Sequence, residues 1–255
     1  MGIRRFSAFV ASALALGASA AAREPLPAGF VYLREVAPTI AQDMRYATFD
    51  NFTGRPLPGY GAAECVLQRE AAQALARVQG DLASRNLGLK VYDCYRPTRA
   101  VRAMWRWANE PGGGNKRFHP DVPKLELFSL GYIATHSRHS SGTAVDLTLI
   151  TLPPARAAAF ERNARYGACT APPAERAPDN SIDMGTGFDC LDEKSATRSG
   201  AVTAEQHRAR DALVAAMRKR GFHNYFREWW HFGFGPRPAA AYDFPIEALP
   251  SSTSP

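Results

Sequence analysis

Four cysteines, Cys65, Cys94, Cys169 and Cys190, constrain this chain most strongly, because their state decides whether two of its loops are open or closed. In a reducing compartment they would be free thiols or metal ligands; outside the cytoplasm an even number reads as disulfides. The N-terminus supplies the address. Arg4-Arg5 makes a short basic start, Phe6 to Leu16 an apolar run, and Ala18-Ser19-Ala20 a small-x-small cleavage pattern. Residues 1–20 therefore read as a signal peptide. The run is too short for a membrane span, which takes roughly twenty apolar residues, so no stable membrane insertion is expected after cleavage. Export, to the periplasm or beyond the cell, makes two disulfides the expectation. No C-x-x-C occurs, which argues against a cysteine zinc site. Of three pairings, Cys65–Cys94 and Cys169–Cys190 are preferred because each closes a local loop.

The mature chain opens with loops rich in Pro and Gly. Leu67, Ala71, Leu75, Val78 and Leu82 then recur at helical spacing and share one face. Leu89–Cys94 reads as a strand ending at Tyr95-Arg96-Pro97. Thr98 is placed to cap a second helix running to about Asn109, with Val101, Met104, Trp105 and Ala108 inward. Thr143–Ile150 reads as a strand, and residues 151–202 as an irregular excursion pinned by Cys169 and Cys190. Thr203-Ala204-Glu205-Gln206 is a capping box for a third helix, stopped by Gly221. Phe222–Phe234 is aromatic and strand-like. The expected division is a signal peptide at 1–20, one catalytic domain at 23–249 and a disordered tail at 250–255.

The chemistry concentrates in two clusters. In the first, Ser137 to Asp146, Asp146 lies within the apolar run Ala144-Val145-Asp146-Leu147. A carboxylate there is costly to bury unless a cation or strong donors satisfy it. Gly142 permits a turn that can bring His139 back towards Asp146, as a metal pair or as a hydrogen-bonded structural pair. The second cluster is Glu228-Trp229-Trp230-His231. In an ideal strand, residues three apart point to opposite faces, so Glu228 and His231 can meet one ion only if the strand bends. Two His, one Asp and a free Glu make the layout of a catalytic rather than a structural zinc site.

These residues also resemble a known family. Ser137-Arg138-His139-x-x-Gly142-x-Ala144-x-Asp146, Glu228-x-x-His231, Asp93-x-Tyr95-Arg96-Pro97 and the segment Asp183–Asp189 together resemble the D-alanyl-D-alanine dipeptidases. These are zinc peptidases related to the vancomycin-resistance dipeptidase and to D,D-carboxypeptidases. The likeness runs from about Tyr46 to Phe234. It implies one zinc ion per chain held by His139, Asp146 and His231, with Glu228 as general base and then acid. It further implies that Arg96 stabilises the oxyanion, that Asp183 holds the substrate's ammonium, and that Ser137 orients the site by hydrogen bonding. The substrate would be a small D,D-dipeptide.

The chain departs from the family in its export signal, in its four cysteines, and in an expanded segment at about Arg162–Asn180. An exported enzyme of this kind would recycle or turn over wall-derived dipeptide. The expected fold class is α+β, with a small antiparallel sheet carrying the zinc site, flanked by helices and long loops. The nearest alternative is a D,D- or L,D-carboxypeptidase acting on longer wall peptides. A non-catalytic wall-binding module would lack a ligand or the base, and all four residues are present. Removing Arg4 and Arg5 with the signal takes the formal charge from +7 to +5. With no basic run interleaved with stacking aromatics, no nucleic-acid partner is expected. The oligomeric state is left open.

Overall fold

Nearly every position from Ala144 to Ile150 is apolar or small because the strand formed there is covered on both faces. The computed structural model describes residues 25–236, 238 and 240–249, so the expected signal peptide at 1–20 and the tail at 250–255 lie outside the described residues. In chain order the elements are β1 Phe30–Tyr32, α1 Leu33–Val36, β2 Ala41–Gln42, β3 Val66–Gln68, α2 Arg69–Ala83 and β4 Leu87–Asp93. There follow α3 Thr98–Asn109, β5 Ala144–Thr151, α4 Ala204–Arg218, β6 Phe222–Asn224 and β7 His231–Phe234. Five strands make one sheet in the order β2-β4-β5-β7-β6, antiparallel except for the parallel β2–β4 edge, and β1 pairs separately with β3. The architecture is α+β. No helix among the described residues is long and apolar enough to cross a membrane.

Alternation along the central strands separates two environments. Leu89 and Val91 of β4 and Val145, Leu147 and Leu149 of β5 meet Leu75, Val78 and Leu82 of α2 and Leu213 and Met217 of α4. Each such side chain withdrawn from water contributes about 1.5–3 kcal/mol. Lys90, Tyr92, Asp146 and Thr148 fall between these positions and face the other way. There the excursion after β5 covers them: Ile182 donates its backbone N–H to Leu149 O, and Phe188 stacks on Tyr92 with centroids 4.5 Å apart. A second, aromatic cluster, including Phe30, Tyr46, Phe52, Tyr95 and Trp107, lies beneath α3.

The excursion is also docked by charge. Asp179 accepts from Lys90 Nζ at 2.6 Å, Tyr92 Oη at 2.8 Å and Arg45 Nη2 at 3.0 Å. Burial alone would raise its carboxyl, but Lys90 and Arg45 outweigh it and hold the pKa down to about 2. A carboxylate lowered on folding stabilises above its unfolded pKa, near 4, and that contribution is lost as the pH falls towards about 2. Asp179→Ala removes the nearest counter-charge of buried Lys90, leaving it Asn180 Oδ1 at 2.8 Å and Asp43 at 3.8 Å. It should cost about 3 kcal/mol at pH 7, a fall in Tm of roughly 6–12 °C, and should flatten the acid limb of the stability curve. Thermal melts between pH 3 and 7 check both parts; equal losses at every pH would refute the linkage.

Both expected disulfides are present, Cys65–Cys94 and Cys169–Cys190, closing loops of 29 and 21 residues. Loop closure of this size is worth about 3 kcal/mol each in the chain-entropy account. The capping box at Thr203 is present, with Thr203 N–H donating to Gln206 Oε1 and Gln206 N–H to Thr203 Oγ1. Four local expectations are corrected. Leu67 belongs to β3, because Gln68 is extended and α2 begins only at Arg69. Thr98 is the first residue of α3 rather than its cap, a place taken by Pro97. Trp105 faces solvent, 48% exposed, because the inward stripe of α3 runs through Met104, Trp107 and Ala108. Phe222–Phe234 is not one strand but a hairpin, β6 and β7 joined by residues 225–230.

Candidate active site

Three neighbouring strands set polar residues side by side. Asp93 on β4 lies opposite Asp146 on β5, and Asp146 lies opposite His231 on β7. Strict alternation would send Asp93 into the apolar core; a register shift between Val91 and Asp93 turns it towards Asp146 instead.

His139 reaches this row from a 3-10 turn, Arg138–Ser141, that precedes β5. Ser137 caps that turn, its Oγ accepting from His139 N at 3.2 Å. Gly142 ends it in the left-handed region at φ 73°, and a Cβ there would fall 2.3 Å from the Phe30 ring, so only glycine fits. His139 Nδ1 lies 2.6 Å from the carbonyl oxygen of Cys94, an acceptor, so Nδ1 carries the proton and Nε2 presents a lone pair.

The hairpin removes the strand objection to Glu228 and His231. Glu228 N–H donates to Tyr225 O, and Tyr225 N–H to His231 O, closing the connection between β6 and β7. Asn224 Nδ2 donates to the carbonyls of both Glu228 and His231 at 3.0 Å. Glu228 therefore projects from a turn, where the period-two rule no longer applies.

His139 Nε2, Asp146 Oδ1 and His231 Nδ1 converge, with separations of 3.1 Å between the two nitrogens and 2.9 and 3.3 Å from Asp146 to His231 and His139. Ligand atoms bonded at about 2.0–2.2 Å to a tetrahedral ion stand roughly 3.3–3.6 Å apart. Two imidazole nitrogens and a carboxylate oxygen at this spacing can hold a metal ion, and among the described residues this is the group able to do so. Burial would raise Asp146, but His139 and His231 outweigh it and hold its carboxyl well below the usual range.

Around this triplet, a cleft of about 450 Å³ is lined by Tyr46, Arg96, Ser137, Asp189 and Glu228, among others. Glu228 is buried, and that burial, reinforced by the charges of Asp146 and Asp189, pushes its carboxyl well above its ordinary value. Arg96 is clamped by Asp93, at 2.8 Å from Nη2 and 2.9 Å from Nε, and lies 3.6 Å from Asp146. Its guanidinium sits over the Tyr46 ring at 4.8 Å. Tyr60 Oη donates to the second oxygen of Asp93 at 2.6 Å, so the group that holds Arg96 is itself held.

The structure thus brings together His139, Asp146, His231, Glu228, Arg96 and Ser137. It does not bring Asp183 among them. That carboxylate accepts from Arg176, Gly185 N and Gln206, and it borders a different cavity beyond Gly187 and Phe188. The residue at the other end of the same segment, Asp189, lines the cleft instead. It is 5% exposed and accepts from Tyr46 Oη at 2.7 Å. Burial, then the charge of Asp146, pushes its pKa up to about 7. Sequence reasoning missed Asp189 and Tyr46. The available signal was the pair of acids bounding Asp183–Asp189, of which only one can face the cleft.

A family model described as D-ala-D-ala dipeptidase, of the M15 peptidases, matches residues 27–155 and 175–251. A D-alanyl-D-alanine dipeptidase of Enterococcus faecium is 32% identical over 223 residues, 86% of this chain and 98% of that one. One from Streptomyces coelicolor is 34% identical over 221 residues, 85% of this chain and 98% of the relative. One from Escherichia coli is 31% identical over 202 residues, 79% of this chain and 82% of the relative.

Proposed function

Because the chain belongs to the D-ala-D-ala dipeptidase family of M15 peptidases, we propose that it is an exported zinc peptidase that hydrolyses free D-alanyl-D-alanine in wall-dipeptide turnover. The observation that carries this reading is the convergence of His139, Asp146 and His231 on one point of a cleft that also holds the buried carboxylate of Glu228. The N-terminal signal pattern and the two disulfides support the exported part.

His139, Asp146 and His231 would hold the zinc; when bound, it supplies a Lewis acid and lowers the pKa of water towards neutrality. The rest falls to the chain. Glu228 takes a proton from the attacking water and delivers it to the leaving amine, and its raised pKa brings it closer to neutral pH for both duties. Water attacks the peptide carbonyl directly, with no covalent enzyme intermediate. Arg96, held by Asp93 and largely buried itself, presents a fixed cation to the developing oxyanion. Asp189, not Asp183, holds the substrate's ammonium, oriented by Tyr46 Oη. An incoming cation reverses the effect of burial on Asp189 and favours its ionised form. Ser137 keeps the His139 turn in place.

Asp189→Asn should raise KM for the free dipeptide by roughly 30-fold or more, the cost of losing a buried charge pair, and change kcat little. Steady-state kinetics check this; an unchanged KM removes Asp189 from substrate binding. The reading as a whole is tested by zinc content and by hydrolysis of free D-Ala-D-Ala against a wall pentapeptide ending in the same two residues. Preference for the free dipeptide supports it, and preference for the pentapeptide turns it into a carboxypeptidase.

A further inference from the structure

The family match leaves out residues 156–174, so the expanded segment begins and ends six residues before the expected Arg162–Asn180, and Cys169 lies within it. Its disulfide partner, Cys190, directly follows Asp189. Asp189 itself adopts a left-handed backbone, φ 57°, which L residues rarely occupy without surrounding structure to impose it. The restraints on this stretch lead back to the insert. Gly187 N–H donates to Cys169 O at 2.8 Å, so a hydrogen bond on one side of Asp189 and the disulfide on the other tie the segment to the same residue. Cys169 N–H in turn donates to Arg117 O, and Leu191 N–H to Phe118 O, which closes the frame through a third segment. The insert covers this third segment with its own side chains: the Arg117 guanidinium lies 5.2 Å from the Phe160 ring and 5.9 Å from that of Tyr166.

We propose that the 156–174 insert and the Cys169–Cys190 disulfide are a positioning device for Asp189, setting the affinity of the cleft for the substrate's ammonium group. This rests on the reading of Asp189 as the ammonium-binding carboxylate. The disulfide touches neither substrate nor metal ligand; it acts through the backbone of the adjoining residue. Without it, the segment Phe188–Leu191 relaxes out of the left-handed conformation, and substrate capture is lost before catalysis is.

The test uses the mature, zinc-loaded protein with Cys169→Ala/Cys190→Ala, alone and combined with Asp189→Asn. Three quantities are read: kinetics on D-Ala-D-Ala, zinc content, and hydrogen exchange of the Phe188–Leu191 amides. The expected result is a KM raised about tenfold or more, kcat and zinc within about twofold of wild type, and faster exchange at those amides. In the Asp189→Asn background the cysteine pair should add little to KM, because both changes remove one interaction. Independent, multiplying effects on KM would overturn the proposal, as would kcat and zinc content falling together with it. Should the wild type fail to cleave the dipeptide, the dipeptidase reading falls, and exchange still decides the positioning: unchanged protection overturns it. Where the variant does not fold, mild reduction of folded wild type, read at the same amides, takes its place.

Discussion

Glu228→Gln should retain a full complement of zinc and hydrolyse D-Ala-D-Ala roughly 10³–10⁴ times more slowly than wild type. Gln keeps the size of the side chain and its ability to hydrogen-bond, but it cannot accept and return a proton. The backbone of the turn is unaffected, since its closure depends on Tyr225 O, Asn224 Nδ2 and main-chain groups rather than on the Glu228 carboxylate. His231 therefore stays beside Asp146, and the metal-binding triplet stays assembled. Metal analysis together with single-turnover kinetics separates the possibilities. A variant within about tenfold of wild type would make Asp189, the other acid lining the cleft with a raised pKa, the base instead.

His139→Ala should lose the metal itself. In the proposed site His139 would supply one of three ligand atoms, and its Nε2 faces the other two because Nδ1 is committed to Cys94 O. Alanine removes that ligand and one of the two imidazoles that contact the Asp146 carboxylate. Zinc added at about 1,000 times its dissociation constant should stabilise the metal-free wild type by about 4 kcal/mol, a rise in Tm of roughly 8–16 °C. The variant should show almost none of that rise and no turnover above background. Titration of both metal-free proteins with zinc, followed by thermal melts, gives the comparison. A variant that still melts higher with equimolar zinc would take His139 out of the ligand set.

The two clusters differ in how far they could be read in advance. Asp146 was legible because burying a carboxylate in an apolar strand demands a partner, whatever the fold. His139 was legible through Gly142, whose left-handed turn is a local matter. The relation of Glu228 to His231 was not: aromatic composition points to a strand, and a strand separates them. What decides it is the hairpin, closed by Asn224, whose side chain caps carbonyls four and seven residues away. Trp105 and Trp107 show the same limit on a smaller scale. Both are large and apolar, and only packing against the aromatic cluster says which one faces inward.

Asp183 and Asp189 mark the boundary most clearly. They lie six residues apart in one segment that resembles the family, and nothing local distinguishes an acid that lines the cleft from one that braces a loop. The distinction comes from Arg176 and Gln206 on one side of Phe188 and from Tyr46 on the other. By itself the sequence pointed to the chemistry: which side chains could bind a metal, which could move a proton, and a preference for cysteine pairing within local loops. Tertiary structure alone decided which acid faces the cleft, and how Asp93, Asp146 and His231 come side by side on three strands. Local sequence sets what each side chain can do and the shape of its own turn. Pairing across a sheet and burial beneath a loop depend on residues far away in the chain.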